Sequence, residues 1–473
     1  MNLKHFLVIL WIGFWSECTL AQQYAHVLEG IYGTAYQGIE SDSAGNLYIT
    51  GYFNRFLRLQ RYFLEEKDGK YFCIKYDSIG RVQWAKQFNQ PIKAIAVRHN
   101  HLYLTGQFLS TIQIDSLTLT AKGLYNTYLA QFSLAGELGW VRQLHAEQDA
   151  LIADMTVDKQ ENIYLTGGFV GKMTFENQTL KPIKVKNTYL VKYDKNGDFQ
   201  WVRQATGGDQ PLTGIYVWGL TTDAQDHVIV SGSLVGAGLF GNQAVSSSFE
   251  RFYGEGYAYN NDAFLAKYTP KGDLTWVRNV ATHVEVQDIK TSGEGHIFLT
   301  GYFRGNLNPA NKKDMGVAVF DKFTKLRTQE TDGRLAECMF IAKYSSLGNL
   351  IWVKQAGSKG KSRGIRLEVD ERKEQVLVNG FFNGELQFSD ITLKTNGASA
   401  NQFDLFVAGY LLNGTWLWAT QNHGEATEDL HDTHLDQQGH LYWVGRFKKE
   451  ISFDNRLLLS PDGFNSNGFL IQF

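Results

Sequence analysis

Six tryptophans, Trp84, Trp140, Trp201, Trp276, Trp352 and Trp418, each follow an aromatic residue by twelve positions: Phe72, Tyr128, Tyr189, Phe264, Phe340 and Phe406. The interval from one tryptophan to the next instead varies from 56 to 76 residues. A unit of fixed length joined by connectors of variable length is the signature of a repeat protein. Such a unit cannot bury its apolar face alone, so the chain must stack copies of it side by side.

Hydrophobic residues make up 43% of the 473-residue chain and aromatics 14%, enough for a large core. The net charge is −2 and no basic stripe is present, which argues against a nucleic-acid partner. Glycine (47) far outnumbers proline (6), a balance that favours tight turns over stiff linkers. Residues 1–21 read as an export signal: Lys4 and His5 precede an apolar run from Phe6 to Trp15, and Thr19-Leu20-Ala21 resembles a small-residue cleavage site. The mature chain, 22–473, is then expected as one domain in the periplasm, on the cell surface or secreted. Lipoprotein processing at Cys18 ranks second, because Trp15-Ser16-Glu17 suits it poorly. Nothing later in the chain is apolar over the length a membrane helix needs. Cys73 and Cys338 fall in equivalent strands of different repeats and are expected as buried, unpaired thiols.

Residues 153–205 display one unit. Ala153 to Asp158 forms a short strand, and the turn 159–162 leads to a second strand ending at Phe169. After a connector, a third strand ends at Asp194, and Lys195-Asn196-Gly197 turns into a fourth, DFQWVRQ. Asp at the first turn position and Gly at the fourth suit a type I turn, and the strands are β-branched, aromatic and roughly alternating. The second-strand glycine occurs seven times, at Gly51, Gly106, Gly167, Gly232, Gly301, Gly380 and Gly445. The third strand also occurs seven times, ending with GFLIQF at the C-terminus, but the fourth follows only six of them. Tyr24-Ala25-His26-Val27 resembles Trp84-Ala85-Lys86-Gln87 and lies 27 residues before Gly51, the position of a fourth strand. The expectation is an all-β, seven-bladed β-propeller of four-stranded antiparallel blades, closed by the N-terminal strand pairing in the last blade, which leaves only short edges exposed.

Asp42 to Phe53 carries the pattern D-x-x-G-N-x-Y-x-T-G-Y-F, and Phe72 to Gln87 carries F-x-x-K-Y-D-x-x-G-x-x-x-W-A-K-Q. These resemble the SBBP-type β-propeller repeat of exported bacterial proteins, over essentially the whole mature chain. The resemblance implies a propeller and export, and no catalytic residues. Gly409 and Gln131 stand where the pattern has Lys, at positions expected on the surface.

The recurrent tryptophans are expected to fill the space between blades. Lys86, Arg142, Arg203, Arg278 and Lys354, two residues on, are expected on the outer blade edge, where charge discourages edge pairing. Asp42, Asp158, Asp223, Asp370 and Asp436 precede turns and are expected to cap them, since too few ligands surround each for calcium. No metal and no cofactor is expected. In a propeller the first strand is innermost. Its non-apolar positions, Glu40, Asp154, Asp288, Lys290, Arg366, Glu368, Asp432 and His434, predict a mixed-charge ring at a central channel, held by mutual ion pairing. A metal site from His431 and His434 is disfavoured, because residues three apart on a strand face opposite sides.

The connectors between second and third strands each carry a small hairpin, and two are enlarged. Residues 233–262 include Phe249, Arg251, Phe252, Tyr253, Tyr257 and Tyr259, and residues 302–338 are mixed in character. Trp218, in the loop preceding that blade, is expected to join the first group. Aromatic rings beside amides suit recognition of a glycan or a protein loop. The leading functional reading is therefore a non-catalytic binding or scaffold protein with a protein or glycan ligand. The alternative is a propeller enzyme, either a quinoprotein-like dehydrogenase or a glycan hydrolase or lyase needing two paired carboxylates.

Overall fold

The computed structural model describes residues 24–28, 32–183, 186–208, 213–252, 256–259, 261–305, 315–328, 330–331, 334–358, 360–395, 402–424, 428–453, 456–460 and 465–473. The expected leader, 1–21, lies outside them. Apart from one short 3-10 turn, Glu66–Asp68, the regular structure described is all strand.

Each repeat folds as an antiparallel meander of four strands. Repeat one runs Thr34–Ser41, Leu47–Phe53, Tyr71–Tyr76 and Val82–Phe88. Repeats three to six follow the same order, for example Asp154–Val157, Ile163–Val170, Lys186–Tyr193 and Phe199–Gly207. Repeat two differs only in its long second and third strands, His101–Ile114 and Leu117–Ser133, which run on into the connector hairpin. The last sheet joins Asp429–Leu435, Leu441–Phe447, Asn467–Gln472 and the N-terminal strand Tyr24–Val27. The pairing there is antiparallel, with Tyr24 opposite Gln472 and Val27 opposite Phe469. Among the described residues no helix is long and apolar enough to cross a membrane.

Recurrent residues explain this regularity. A Cβ on any of the seven second-strand glycines would meet a backbone carbonyl oxygen of the first strand, or in repeats two and three of the segment just before it, at between 1.9 and 2.2 Å, and Phe72, Tyr128, Phe264, Phe406 or Phe469 packs on the same spot in five repeats. Glycine is thus required by close approach of backbone to backbone. The turn aspartates cap as expected: Asp42 Oδ1 accepts the N–H groups of Ala44 and Asn46 at 3.0 Å, and Oδ2 accepts the Tyr48 hydroxyl at 3.0 Å. Asp158 repeats this set with Gln160, Asn162 and Tyr164. Cys73 and Cys338 are buried and unpaired.

The tryptophans join neighbouring sheets. Trp84, Trp140, Trp201 and Trp352 donate their indole N–H to Leu134, Lys195, Pro270 and Leu412 carbonyls of the next repeat at 3.1, 3.2, 3.1 and 3.1 Å. The cation two residues after the tryptophan lies on the outermost strand of the blade, as with Lys86, Arg142 and Lys354, and it also makes contacts across the junction. Arg142 and Arg203 lie over their tryptophan rings, and each donates Nε–H at 2.6 Å to a turn carbonyl of the next repeat, Gly197 and Gly272. One expectation needs correction here. The third-strand lysine position is not a surface position. Lys192, Lys267, Lys343 and Gln131 are all buried, and Lys75, Lys192 and Lys343 donate to Leu134, Pro270 and Leu412. A buried ammonium needs such acceptors. At Gly409 the lysine is replaced by space that Trp418 fills, 2.8 Å from where a Cβ would stand.

The glutamine that closes the W-A-K-Q pattern also has a place. Gln143 Nε2 donates to Thr120 O and Asn126 Oδ1, Gln204 Nε2 to Lys181 O and Asn187 Oδ1, and Gln421 Nε2 to Lys394 O and Asp404 Oδ2. It ties the connector hairpin back onto its own blade.

Candidate binding surfaces

First strands are the contact line between repeats. Each touches the first strand of the next repeat in chain order, and that of repeat seven touches that of repeat one. Carboxylates stitch alternate junctions. Asp154 Oδ2 accepts Leu220 N–H at 2.8 Å, Asp288 Oδ2 accepts Leu367 N–H at 2.7 Å, and Asp432 Oδ2 accepts Ile39 N–H at 3.2 Å. At two of the four remaining junctions, Thr291 Oγ1 donates to Thr222 O, and Arg366 Nε donates to Asp432 Oδ1 at 2.8 Å.

A β-bulge recurs in these strands. The ladder slips between Tyr36 and Gly38, Val217 and Gly219, Val286 and Asp288, Gly364 and Arg366, and Leu430 and Asp432. A bulge inserts an unpaired residue and re-aims the side chains around it. The inserted residues are Gln37, Trp218, Gln287, Ile365 and His431.

The expected charged positions converge. Glu40, Asp154, Asp288, Lys290, Arg366 and Asp432 line one cavity of about 360 Å³, together with Gln37, Lys93, Arg98, Trp218 and Gln287. Glu368 and His434 adjoin it. Lys290 Nζ lies 3.9 Å from Glu368, whose Oε1 accepts Thr433 Oγ1–H at 2.9 Å, and His434 lies 3.5 Å from Glu40 and bonds Ser41 Oγ at 2.8 Å. His431 turns to the Tyr36 carbonyl instead, at 2.6 Å.

Trp218 is misplaced by the sequence reading. It is not in a loop beside the aromatic connector but in the first strand of repeat four, at the bulge, facing this cavity. Five positions before a turn aspartate, Trp218 before Asp223 corresponds to Gln37 before Asp42. That alignment was the available signal. Gln37 and Gln287 were missed for the same reason, since the bulge breaks the strict alternation of faces, whereas Lys93 and Arg98 sit just before and at the end of the unbulged first strand of repeat two.

Confinement alters the acids. Burial pushes the Glu40 carboxyl up to about 8, with Lys290 opposing and Asp432 and Glu368 adding to the rise. Burial likewise takes Asp154 and Glu368 to about 7 and raises Asp288. Glu40 keeps 31% of its side chain accessible and lines the cavity. Burial, then Lys290, lowers His434 to about 4, and Glu368 above all holds the Lys290 ammonium charged.

The sign of the pH effect follows. Between about pH 4 and 8 the folded state binds protons on Glu40, Asp154 and Glu368 that the unfolded chain has released, so stability falls as pH rises. His434 works oppositely, but only below its unfolded value of about 6.5. Thermal unfolding measured between pH 6.5 and 8.5 is expected to show a falling Tm. In Glu40→Gln the fall should be shallower, with the gain over wild type larger at pH 8.5 than at pH 5. A wild-type slope retained in full by Glu40→Gln would contradict this assignment.

Connector hairpins form the second surface. Repeats three, six and seven carry Met173–Phe175 with Gln178–Leu180, Glu385–Phe388 with Ile391–Lys394, and Glu450–Phe453 with Arg456–Leu459. The two enlarged connectors each add another. Repeat four has Ala237–Phe240 with Gln243–Ser246 and then Phe249–Phe252 with Gly256–Tyr259. Repeat five has Val317–Val319 with Lys325–Arg327 and then Glu330–Thr331 with Arg334–Leu335. In the added hairpin of repeat four, Phe249 pairs with Tyr259, Arg251 with Tyr257 and Phe252 with Gly256. Tyr253 lies outside the described residues.

No family model matches the chain. Over 323 residues it is 24% identical to an uncharacterized WD repeat-containing protein of Acanthamoeba polyphaga mimivirus, covering 58% of this chain. The match spans 22% of that relative, so the chain accounts for about a fifth of its length. Among solved structures, BamB from Moraxella catarrhalis aligns with 96% of this chain and 97% of its own, at 10% identity and a TM-score of 0.34. A catalytically inactive virginiamycin B lyase from Staphylococcus aureus, with quinupristin, aligns with 94% of this chain and 98% of its own, at 9% identity and a TM-score of 0.38. Overlays this loose leave function to be argued from the molecule itself. Four-stranded antiparallel meanders, repeated along the chain and stacked through their first strands, make this a β-propeller repeat protein.

Proposed function

We propose that the repeats form a closed seven-bladed ring, sealed by the N-terminal strand in the last blade. We further propose that the ring is an exported, non-catalytic binding or scaffold protein holding a protein or glycan on its connector hairpins. The pairing of Tyr24–Val27 with Asn467–Gln472 and the contact of first strands seven and one support closure. The leader-like residues 1–21 support export. The observation that carries the binding reading is the added hairpin of repeat four, with four aromatics and an arginine among its four paired ladder positions. An insertion on a rigid repeat scaffold is free of the packing duties that every unit shares. Aromatic side chains there supply contact area at small entropic cost.

Three of the inner carboxylates support a scaffold over a hydrolase. Asp154 and Asp288 each accept two backbone N–H groups, and Asp432 accepts one and Arg366. Groups so committed hold sheets together, whereas an acid–base pair must exchange protons with a substrate. The combined substitution Phe252→Ala, Tyr253→Ala and Tyr257→Ala is expected to abolish capture on glycan arrays and in pull-downs from the native envelope, with Tm unchanged. Undiminished capture by the triple variant would reject the connector as the recognition surface.

A further inference from the structure

Positions shared by all repeats serve the fold, so an unusual residue at an unshared position is the place to look for a ligand. Trp218 is such a residue. It occupies the bulge position taken elsewhere by Gln37, Gln287, Ile365 and His431, and it keeps 49% of its surface exposed. Its orientation is fixed on two sides. The indole N–H donates to Ser233 Oγ at 3.0 Å, and the ring lies nearly parallel to Tyr216, with centroids 6.5 Å apart and planes 12° apart. A large flat apolar face is therefore held in place beside a cavity of about 360 Å³, within the range of about 300–1,000 Å³ usual for small-molecule sites.

The same cavity holds hydrogen-bonding capacity that the ring does not consume. Arg98 Nε is buried without a hydrogen-bond partner among the described residues. Lys290 Nζ comes no nearer than 3.9 Å to Glu368, and Glu40 meets His434 only at 3.5 Å. Donors and acceptors are thus mixed around one aromatic face. A cation is a poor match, because Lys290, Arg366 and Arg98 already face the acids, and burial leaves Glu40, Asp154 and Glu368 partly protonated at neutral pH. An apolar ligand would strand these groups without partners.

We propose that this cavity is a saccharide subsite, with Trp218 stacking on the C–H face of one sugar ring and the uncommitted Arg98, Lys290 and Glu40 side chains bonding its hydroxyls. This site stands apart from the connector hairpins and does not rest on their role. The test is calorimetric titration and saturation-transfer NMR of the full mature chain with glucose, galactose, mannose, N-acetylglucosamine, maltose and cellobiose. At least one of these is expected to bind wild type, with an affinity that salt does not change, since a neutral ligand is not screened. Trp218→Ala is expected to weaken it about tenfold or more, and Trp218→Phe less. Trp218→Gln, which copies the residue of repeats one and five, keeps the comparison available if the alanine variant fails to fold. The phenylalanine-252 connector triple variant should bind the sugar as wild type does. The proposal is overturned if no sugar of the panel binds, if binding survives loss of the indole, if the connector variant abolishes it, or if choline binds in a salt-dependent manner instead.

Discussion

Gly167→Ala is expected to cost about 3 kcal/mol of folding stability, and Gly168→Ala, one residue along the same strand, less than about 0.5 kcal/mol. A Cβ at position 167 would lie 1.9 Å from the Leu151 carbonyl oxygen and 2.9 Å from its carbon, with the Ile152 Cα at 3.1 Å. All three are backbone atoms of the segment that leads into the first strand, so no side chain can swing aside. The two backbones must separate, and separation pulls Ile152 away from the hydrophobic cluster that it shares with Met155, Phe169 and Tyr189. At position 168 the nearest atom is the Asn187 oxygen at 3.8 Å, an ordinary contact. Urea unfolding of the two variants side by side measures the difference. Equal stabilities would show that the recurrent glycine is not set by this approach.

Residues that every unit repeats were readable in sequence because repetition itself marks them as structural. The twelve-residue step from aromatic to tryptophan fixes a strand, a turn and a strand, and the structure places Phe72, Tyr128 and Phe340 deep in the sheets that the tryptophans border. The charged inner positions were readable for a different reason. Alternation along the first strand separates Glu40, Lys290 and Glu368 from their apolar neighbours, and all of them gather at or beside one cavity. What alternation conceals is the bulge. One inserted residue shifts the facing of those before it, so Trp218 looked like part of a loop when it belongs to the wall of the cavity. The lysines of the third strand were misread because their acceptors lie in the next repeat. Lys192 reaches the Pro270 carbonyl across 78 positions of sequence, a distance no local pattern spans. The ladder register of the repeat-four hairpin pairs Phe249 with Tyr259, a partnership that composition alone could not have assigned.

The seam carries the largest expected effect. Tyr24–Val27 supplies the outer strand of the last sheet, and the chain then enters repeat one through Leu28, whose N–H donates to Gly468 O at 2.8 Å. Thr34 completes the junction, donating its hydroxyl to Leu28 O and its N–H to Ser466 O. Leu28 is fully buried in the core of repeat one beside Leu470, and Ala25 and Val27 pack against the core of repeat seven. One short strand therefore ties the two ends of the array. Its loss would remove a ladder worth about 1 kcal/mol per hydrogen bond and the burial of Leu28, worth about 2 kcal/mol. It would also leave Asn467–Gln472 as an open edge.

The most direct measurement is thermal and urea unfolding of residues 22–473 and of residues 29–473. A closed ring predicts that the shortened protein loses on the order of 5 kcal/mol and unfolds over a broader, lower transition as the first and last repeats open. An unchanged Tm and an unchanged urea midpoint would contradict closure through the N-terminal strand.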